Sequence, residues 1–379
     1  MTRETRAATS KGLFGGVYAG SRVFITGHTG FKGAWLSEWL LDLGAEVTGF
    51  SLAPPTQPSL FEQVGLEQRL KHIHGDIRHG EALARAVQAA QPDFIFHLAA
   101  QPLVRESYRS PVETYETNVL GTIHLLAAAR ALKKPCAVIC VTTDKCYENR
   151  EWVHGYREED PLGGHDPYSS SKAAAEIAIA AWRRSFFQGH PVKVASVRAG
   201  NVIGGGDWAA DRIVPDCIRA LQQRQPIPVR NKRATRPWQH VLEPLSGYLW
   251  LAALMVRPGL GRTPPDALCA AFNFGPGHDA NRSVAELVEE VLKHWPGRWE
   301  DRSDPNAVHE AGLLQLATDK AHALLGWSPA WTFAEAVQET VAWYRAPQAS
   351  PATLHRLGLK QIRDYSQAAR RAALSWAIA

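Results

Sequence analysis

Two short stretches of the sequence carry residue types that could act together in chemistry. The first is residues 142–145 (Thr-Thr-Asp-Lys), which follow the apolar run 137–141, and the second holds Tyr168 and Lys172. The apolar run predicts a buried parallel strand, and the residues after such a strand lie at the edge of an open α/β sheet where ligands bind. The second stretch opens an Ala-rich, helix-prone segment in which side chains four residues apart share one face. We therefore expect Tyr168 and Lys172 to point together toward the strand end.

The Tyr168 hydroxyl would be a useful base only if its phenolate were stabilised. A tyrosine has a reference pKa of about 10, and a nearby ammonium favours the phenolate. We expect Lys172 to lower the pKa of Tyr168 in this way, and the same lysine could bind the ribose hydroxyls of a nicotinamide cofactor. Because a Tyr-x-x-x-Lys spacing also occurs on ordinary helix surfaces, the prediction depends on the neighbouring motifs.

A glycine-rich loop stands upstream of both stretches, between a predicted strand at 22–26 and a predicted helix from Ala34 to about Leu43. Glycines three residues apart permit a tight turn, close approach of the backbone to a pyrophosphate and close packing of the helix, whose N-terminus faces the phosphates. The loop could be a purely structural turn, but further strand–helix units follow it and favour nucleotide binding. The predicted cofactor-binding residues of this loop are Gly27, Thr29, Gly30, Phe31, Lys32 and Gly33.

Strands and helices alternate over the first half of the chain. This alternation predicts a doubly wound parallel α/β sheet of the Rossmann type with a smaller C-terminal substrate-binding lobe. The predicted strands are 22–26, 46–51, 72–75, 93–98, 137–141 and 192–197, with a later one at 272–274, and the two longest early helices are 111–133 and 168–188. The predicted domains are a mobile leader (1–20), a nucleotide-binding domain (21–205, with a return segment at about 240–280), a ligand lobe (206–239 and 281–346) and a helical extension (347–379) that covers a sheet edge or a partner subunit.

Residues after the other strands are candidates for the cofactor site. Asp76 and Ile77 should meet the adenine edge, although Asp76 could instead cap the helix that begins near His79. Small residues after the fourth strand let a cofactor pass close to the backbone, and Asn118 could hold a water or a backbone kink near Lys172. The remaining predicted cofactor contacts are Leu98, Ala99, Ala100 and Thr142.

The cofactor type is left open by the residues themselves. The second strand ends at Ser51, where an acidic residue would be expected to hold the ribose of NAD. NAD and NADP are therefore equally compatible with this position.

Arginines are frequent in the 30 or so residues that follow Asn201. Such a run is often a solvated face, and residues 231–233 could pass for a nucleic-acid patch. Because the run follows a nucleotide-binding fold, we instead predict that Arg212 and Arg236 bind a diphosphate through bidentate hydrogen bonds. The other predicted substrate-binding residues are Gln101, Asn201 and Trp208.

Composition limits the remaining possibilities. The chain has 379 residues, 45% of them hydrophobic and 21% charged, with a net charge of +5, which is typical of a soluble globular protein and gives no indication of a nucleic-acid partner. No apolar run approaches the roughly 18 residues that span a bilayer, and the first 20 residues lack the apolar stretch of a secretory signal. The five cysteines are odd in number and form no C-x-x-C pair, so we expect reduced thiols, a cytoplasmic protein and no metal site.

Taken together, the motifs resemble those of the extended short-chain dehydrogenase/reductase family, and within it the group of CDP-D-glucose 4,6-dehydratases. The resemblance runs from about residue 22 to residue 344. The residues that resemble the general family are the glycine loop, Asn118, Tyr168 and Lys172. The motifs that resemble the narrower group are residues 27–33 (GHTGFKG), 142–145 (TTDK) and 198–208 (RAGNVIGGGDW). Dehydratases that act on dTDP-glucose carry Glu at the position after the Asp. This chain has Lys145 there, and in this respect it resembles the CDP-glucose group.

The resemblance implies an NAD-dependent lyase with no net redox change and CDP-glucose as its substrate. Tyr168 would take the C4 hydroxyl proton while hydride passes to NAD⁺, and Thr143 would bond the C4 oxygen. Asp144, kept protonated, would protonate the leaving C6 hydroxyl, and Lys145 would help to remove the C5 proton, which needs a lowered pKa. Hydride would return to C6 and give CDP-4-dehydro-6-deoxyglucose. The catalytic set is thus Thr143, Asp144, Lys145, Tyr168, Lys172 and Asn118.

Two alternatives remain at this point. A sugar-nucleotide 4-epimerase would need Tyr168 and Lys172 but would have no use for an Asp-Lys pair, and a non-catalytic NAD(H)-binding sensor or scaffold would be expected to have lost part of the catalytic set. Lys145 could also be an ordinary surface lysine on a turn. The resemblance further implies a homodimer or higher oligomer with a four-helix interface built from 111–133 and 168–188, and a place in 3,6-dideoxyhexose or related lipopolysaccharide O-antigen synthesis.

Overall fold

A parallel sheet at the centre of the molecule positions every candidate residue of the site. The computed structural model describes residues 12–303, 312–347 and 350–379. The strands are β1 (Arg22–Thr26), β2 (Glu46–Ser51), β3 (Lys71–His74), β4 (Phe94–His97), β5 (Cys136–Val141), β6 (Val192–Ala199), β7 (Val202–Ile203), β8 (Ile227–Val229), β9 (Thr235–Pro237), β10 (Gln239–His240), β11 (Ala271–Phe274), β12 (Asn281–Ser283) and β13 (Trp299–Asp301). The α-helices are α1 (Phe31–Asp42), α2 (Leu60–Gln63), α3 (Gly80–Ala90), α4 (Val104–Arg109), α5 (Pro111–Tyr115), α6 (Gly121–Arg130), α7 (Pro167–Phe186), α8 (Ile213–Gln222), α9 (Leu242–Val256), α10 (Val284–His294), α11 (Asp319–Leu325), α12 (Phe333–Arg345), α13 (Pro351–Arg371) and α14 (Ser375–Ile378).

The main sheet has seven strands in the order β3-β2-β1-β4-β5-β6-β11, and every neighbouring pair is parallel. Its inner strands are apolar on both faces: in β5, Ile139 belongs to the core on one face and Val138 to the core on the other, as expected for a sheet covered by helices on both sides. The strand order reverses between β1 and β4, and the crevice at the carboxyl ends of these strands is where such sheets bind ligands. The predicted doubly wound fold is confirmed.

The second half of the chain contains short strands that the sequence did not predict. β7 pairs with β10, β8 with β13, and β9 with β12, each as a separate two-stranded sheet. Strands of two or three residues are too short to show an alternating pattern. Helix α8 packs against β8 and against α10.

The N-terminal segment is not a free leader where the structure describes it. Leu13, Phe14 and Tyr18 are buried, and the Phe14 ring stacks on Trp376 at a centroid distance of 5.1 Å. The prediction of a mobile leader is therefore wrong for residues 12–20, because this segment supplies apolar rings to the core, and residues 1–11 lie outside the described ranges.

The C-terminal extension packs on α1 of the same chain rather than on a sheet edge. His355 of α13 lies 2.6 Å from the carboxylate of Glu38, and Tyr365 packs edge-on against Trp39 at 5.8 Å. The helix that follows the glycine loop is thus held between the sheet and α13. Within the described ranges, no helix is both long and apolar enough to cross a bilayer.

Candidate active site

The glycine loop has the backbone geometry of a phosphate cradle. Gly27 has φ of +77°, and a Cβ there would lie 2.6 Å from the backbone nitrogen of Ala99 after β4, so only glycine fits. A Cβ at Gly33 would lie 2.2 Å from the carbonyl oxygen of Gly27. The N-cap of α1, Gly30, provides no side-chain cap, which leaves the backbone N–H groups of the first helical turn available to an anion. These residues fit the diphosphate of a dinucleotide.

The side of this loop is closed by Thr29, whose hydroxyl lies 2.8 Å from that of Ser51 and donates to the carbonyl of Leu52 at 3.0 Å. Asp76, after β3, accepts hydrogen bonds from the backbone and side chain of Arg78, both at 2.8 Å. The alternative in which Asp76 caps a helix is wrong, because α3 has His79 at its N-cap and no side-chain cap.

The end of β5 presents the Thr-Thr-Asp-Lys stretch as a short 3₁₀ turn. Thr143 caps this turn, accepting from the backbone N–H of Lys145 at 3.3 Å and donating to Asp144 Oδ1 at 3.0 Å. Asp144 is buried, with 2% of its surface exposed, whereas Lys145 is half-buried. The prediction that these residues lie at the strand end is confirmed.

Burial raises the pKa of Asp144 above its ordinary value, while the charge of Lys145, the hydrogen bond from Thr143 and the charge of Arg236 act in the opposite direction. Asp144 Oδ2 has no hydrogen-bond partner in the part of the chain that the structure describes, and a Cβ on Gly200 would lie 2.8 Å from it. The carboxyl is therefore biased toward its protonated form, as an acid catalyst requires.

Helix α7 begins where it does because Asp166 caps it and Pro167 occupies its first turn. This start places Tyr168 in the first turn and Lys172 one turn later, both buried. Lys172 Nζ donates to the carbonyl of Val141 at 3.4 Å, so helix and strand end meet as predicted.

The pKa of Tyr168 differs from the sequence prediction. Burial raises it to about 12, and it is the hydrogen bond with Thr143 and the charge of Arg212 that act to lower it. The prediction of a lowered pKa caused by Lys172 is wrong, because burial outweighs the neighbouring cations. The pKa of Lys172 itself is lowered to about 8 by burial, against the charge of Glu176.

Both predicted diphosphate ligands lie beside these groups. Arg212 donates to Asp207 at 2.8 Å and is close enough to Tyr168 for each charge to shift the pKa of the other. Arg236 is buried, donates to the carbonyl of Thr235 at 2.8 Å, and acts on the pKa of Asp144. Both guanidinium groups thus border the Tyr168–Asp144 cluster.

Asn118 and Gln101 are hydrogen-bonded to each other, and Asn118 is also bonded to α7. Asn118 lies in a π turn (Glu116–Leu120) that joins α5 to α6 with helical backbone at both junctions. The long helix predicted for 111–133 is therefore present over residues 111–130, with a π turn at Asn118. The Asn118 amide accepts from Gln101 N at 2.9 Å and donates to Gln101 O and Ser171 Oγ. The side-chain amide of Gln101 donates to the carbonyl of Leu103 and to the hydroxyl of Thr114, and it accepts from the N–H of Leu103.

Three other predicted residues are engaged in contacts of their own. Thr142 donates to Glu176, not toward the cleft. Trp208 donates to Gln63 at 2.8 Å. The backbone carbonyl of Asn201, just before β7, accepts from the N–H of Gln239 in β10 at 3.3 Å. Their cofactor and substrate roles stay predictions.

A buried ion pair below the site was not predicted. Glu176, one turn beyond Lys172, pairs with Arg198 at 2.9 Å and accepts from Ser196 at 2.8 Å. Arg198 also donates to Tyr147 at 2.7 Å. Sequence reasoning missed this pair because its partners lie on different elements, 22 residues apart in the chain.

Residues 24–340 match the GDP-mannose 4,6 dehydratase family. The chain belongs to this family. It is 47% identical over 338 residues to the CDP-glucose 4,6-dehydratase of Salmonella typhimurium, an alignment that covers 87% of this chain and 92% of the relative. As a member of this dehydratase family the chain is an enzyme of the lyase class, and the predicted resemblance is confirmed.

Solved structures agree with this family membership. The dTDP-glucose 4,6-dehydratase of Streptomyces venezuelae, which was solved with NAD bound, matches with a TM-score of 0.72 at 26% identity over 86% of this chain and 98% of that one. The UDP-glucose 4-epimerase of Thermus thermophilus has the same TM-score at 24% identity, over 86% and 99% of the two chains, and shares the fold.

Proposed function

We propose that this enzyme converts CDP-D-glucose to CDP-4-dehydro-6-deoxy-D-glucose and water, with NAD⁺ as its cofactor. The observation that carries the proposal is the buried carboxyl of Asp144, with its raised pKa, at the strand end that faces Tyr168. An epimerase would have no use for an acid at this place. The 47% identity to the Salmonella typhimurium CDP-glucose enzyme supports CDP-glucose over other sugar nucleotides.

The glycine loop and the uncapped N-terminus of α1 would hold the NAD⁺ diphosphate, and Lys172 would bind its ribose. When bound, NAD⁺ supplies the acceptor that oxidises C4 of the sugar and the donor that later reduces C6. NAD rather than NADP is supported by the Streptomyces venezuelae relative, which was solved with it. Activity restored to apo-enzyme by NAD⁺ but not by NADP⁺ is the expected result.

The residues at the strand end then have separate tasks. Tyr168 accepts the C4 hydroxyl proton, and Arg212 and Thr143 are the groups that favour its phenolate. The C4 ketone acidifies C5, where Lys145 removes the proton. Asp144 gives its proton to the C6 hydroxyl, which leaves as water as the C5=C6 bond forms. Arg236 and Arg212 would hold the substrate diphosphate.

The test is incubation with NAD⁺ and, separately, CDP-glucose, dTDP-glucose or UDP-glucose. We expect the alkaline ultraviolet absorbance of a 4-keto sugar and the loss of one water by mass spectrometry, with CDP-glucose turned over fastest. A product of unchanged mass would instead identify an epimerase, and no product with any sugar nucleotide would favour a non-catalytic role.

The enzyme would act as a homodimer in the cytoplasm. The helices that the sequence assigned to a dimer interface expose apolar side chains, among them Val112 and Ile177, at 70% and 58%. A reducing compartment is supported by the five cysteines, which are all free thiols.

A further inference from the structure

Gly200 directly follows β6 and lies against the carboxyl of Asp144. A Cβ at this position would lie 2.8 Å from Asp144 Oδ2 and 3.0 Å from Cγ of Pro237. The φ angle of Gly200 is outside the left-handed region, so residues with a side chain could adopt its backbone conformation. Glycine is therefore required here by the space that the Asp144 carboxyl and the Pro237 ring occupy, and not by the backbone.

The two oxygens of the Asp144 carboxyl have different surroundings. Oδ1 accepts a hydrogen bond from the hydroxyl of Thr143 at 3.0 Å. Oδ2 is buried and has no hydrogen-bond partner within the described ranges, and it faces the side of Gly200 on which a side chain would stand. Because no hydrogen bond reaches Oδ2, none on this side of the carboxyl favours the carboxylate over the acid.

A methyl group at residue 200 would have little room to move away from Asp144. Pro237 is buried at the end of β9, and its ring cannot rotate as a flexible side chain would. The Asp144 carboxyl would have to turn instead, and a turn about its Cβ–Cγ bond moves Oδ1 as well as Oδ2. The hydrogen bond from Thr143, whose hydroxyl also acts on Tyr168, would then be lengthened or lost.

We propose that Gly200 is a positioning residue for the acid step, because its missing side chain leaves the space that keeps the Asp144 carboxyl in its hydrogen bond with Thr143. The inference rests on the proposed dehydratase reaction. In the elimination step the C5–H bond breaks, its proton goes to Lys145, and its electron pair forms the C5=C6 bond. The C6–O bond breaks with its electron pair on oxygen, which takes the Asp144 proton and leaves as water.

The deciding experiment compares Gly200→Ala with wild type on two substrates. With CDP-glucose we expect turnover to fall about 10- to 100-fold, a part of the roughly 10²–10⁴-fold that acid–base catalysis contributes, because the acid is displaced rather than removed. The ultraviolet absorbance of reduced cofactor should persist in a single turnover, since oxidation at C4 precedes the impaired step. With CDP-6-deoxy-6-fluoroglucose, whose fluoride leaves with its bonding electron pair and needs no proton, the loss should shrink to less than about threefold.

Gly275 offers a matched control. It follows β11 as Gly200 follows β6, and the two strands are neighbours in the sheet. The φ angle of Gly275 is also outside the left-handed region, and a Cβ there would meet no atom closer than 3.4 Å. Gly275→Ala should therefore match wild type on both substrates.

The double variant G200A/P237A removes the ring carbon that confines the added methyl group. It should recover part of the lost turnover on CDP-glucose, and it takes the place of Gly200→Ala in the two-substrate comparison should the single variant fold poorly. Equal losses on both substrates, or a Gly200→Ala variant as active as wild type, would overturn the proposal. A wild type that forms no 4-keto sugar from any sugar nucleotide would instead contradict the proposed function, so the two failures are distinct.

Discussion

Burial acts on the two central acids of the site in the same direction and with different consequences. It raises the pKa of Asp144 and of Tyr168, and so favours the neutral form of each. For Asp144 the neutral form is the one that can donate a proton. A neutral Tyr168 still has to lose its proton, so the cation beside it, Arg212, matters more than the Tyr-x-x-x-Lys spacing suggested.

At the scale of single residues, the proposed role of Lys145 as a base gives a direct prediction. Lys145→Met should leave NAD⁺ binding unchanged and lower turnover by roughly 10²–10⁴, the usual range for a general base. Because the Lys145 charge lowers the pKa of Asp144, that pKa should rise in the variant. Residual activity should then persist to a higher pH than in wild type, as a pH–rate profile would show.

A second measurement on the same variant separates the base from a structural lysine. Exchange of the C5 hydrogen in deuterated water should be lost along with turnover. Near-full activity, or normal C5 exchange, would contradict the assignment.

At the scale of elements, the Glu176–Arg198 pair joins α7 to β6, and Thr142 joins it to the end of β5. Both side chains are almost completely buried. Burial opposes the charge on Glu176, but the charge and hydrogen bond of Arg198 outweigh it and lower the pKa below its ordinary value of 4.5. The pair and its hydrogen bond with Thr142 therefore fix the helix that carries Tyr168 and Lys172 against the strand end where Asp144 lies.

Arg198→Met should lower the free energy of unfolding by about 3–5 kcal/mol at pH 7, because it leaves a buried carboxylate without its partner. The folded pKa of Glu176 is depressed, so its contribution is present above pH 4.5 and is lost as the pH falls through the folded pKa. The difference between wild type and variant in urea unfolding should shrink accordingly in acid. The double variant E176Q/R198M should recover part of the loss, and a double variant no more stable than R198M would argue against the pair.

The sequence predicted those elements whose local pattern also determines their structure. Local patterns identified the strands of the main sheet to within a residue or two, and the apolar run was clearest in inner strands such as β5. The glycine spacing identified the loop, since Gly27 has a conformation that only glycine adopts easily. Prediction from the sequence failed where burial or a pKa depends on distant parts of the chain. Phe14 is buried because Trp376 covers it, and the pKa of Tyr168 is raised by burial that no local motif reports.

At the scale of the whole molecule, the helices of the site also form an outer surface. Asn118 and Ser171 join the 111–130 segment to α7 through a 2.9 Å hydrogen bond. The opposite sides of the same segments expose large apolar residues, namely Val112, Tyr115, Leu120, Ile177 and Phe186. Exposed apolar groups gathered on adjacent helices are typical of an interaction surface, and two copies of this surface would form a four-helix interface.

Ile177→Glu places a charge at the centre of that surface and should convert a dimer to a monomer, because an unpaired carboxylate would have to be buried on association. Sedimentation equilibrium or light scattering at micromolar concentration measures the change. Val153, which is 76% exposed on the loop after β5, offers a control. Val153→Glu adds the same charge to an even more exposed apolar position outside the two helices and should leave the mass unchanged. Because α7 carries Tyr168 and Lys172, loss of the dimer should also loosen the packing that positions these two side chains and so reduce turnover. A wild-type protein that sediments as a monomer, or an I177E variant that remains dimeric, would place the interface elsewhere.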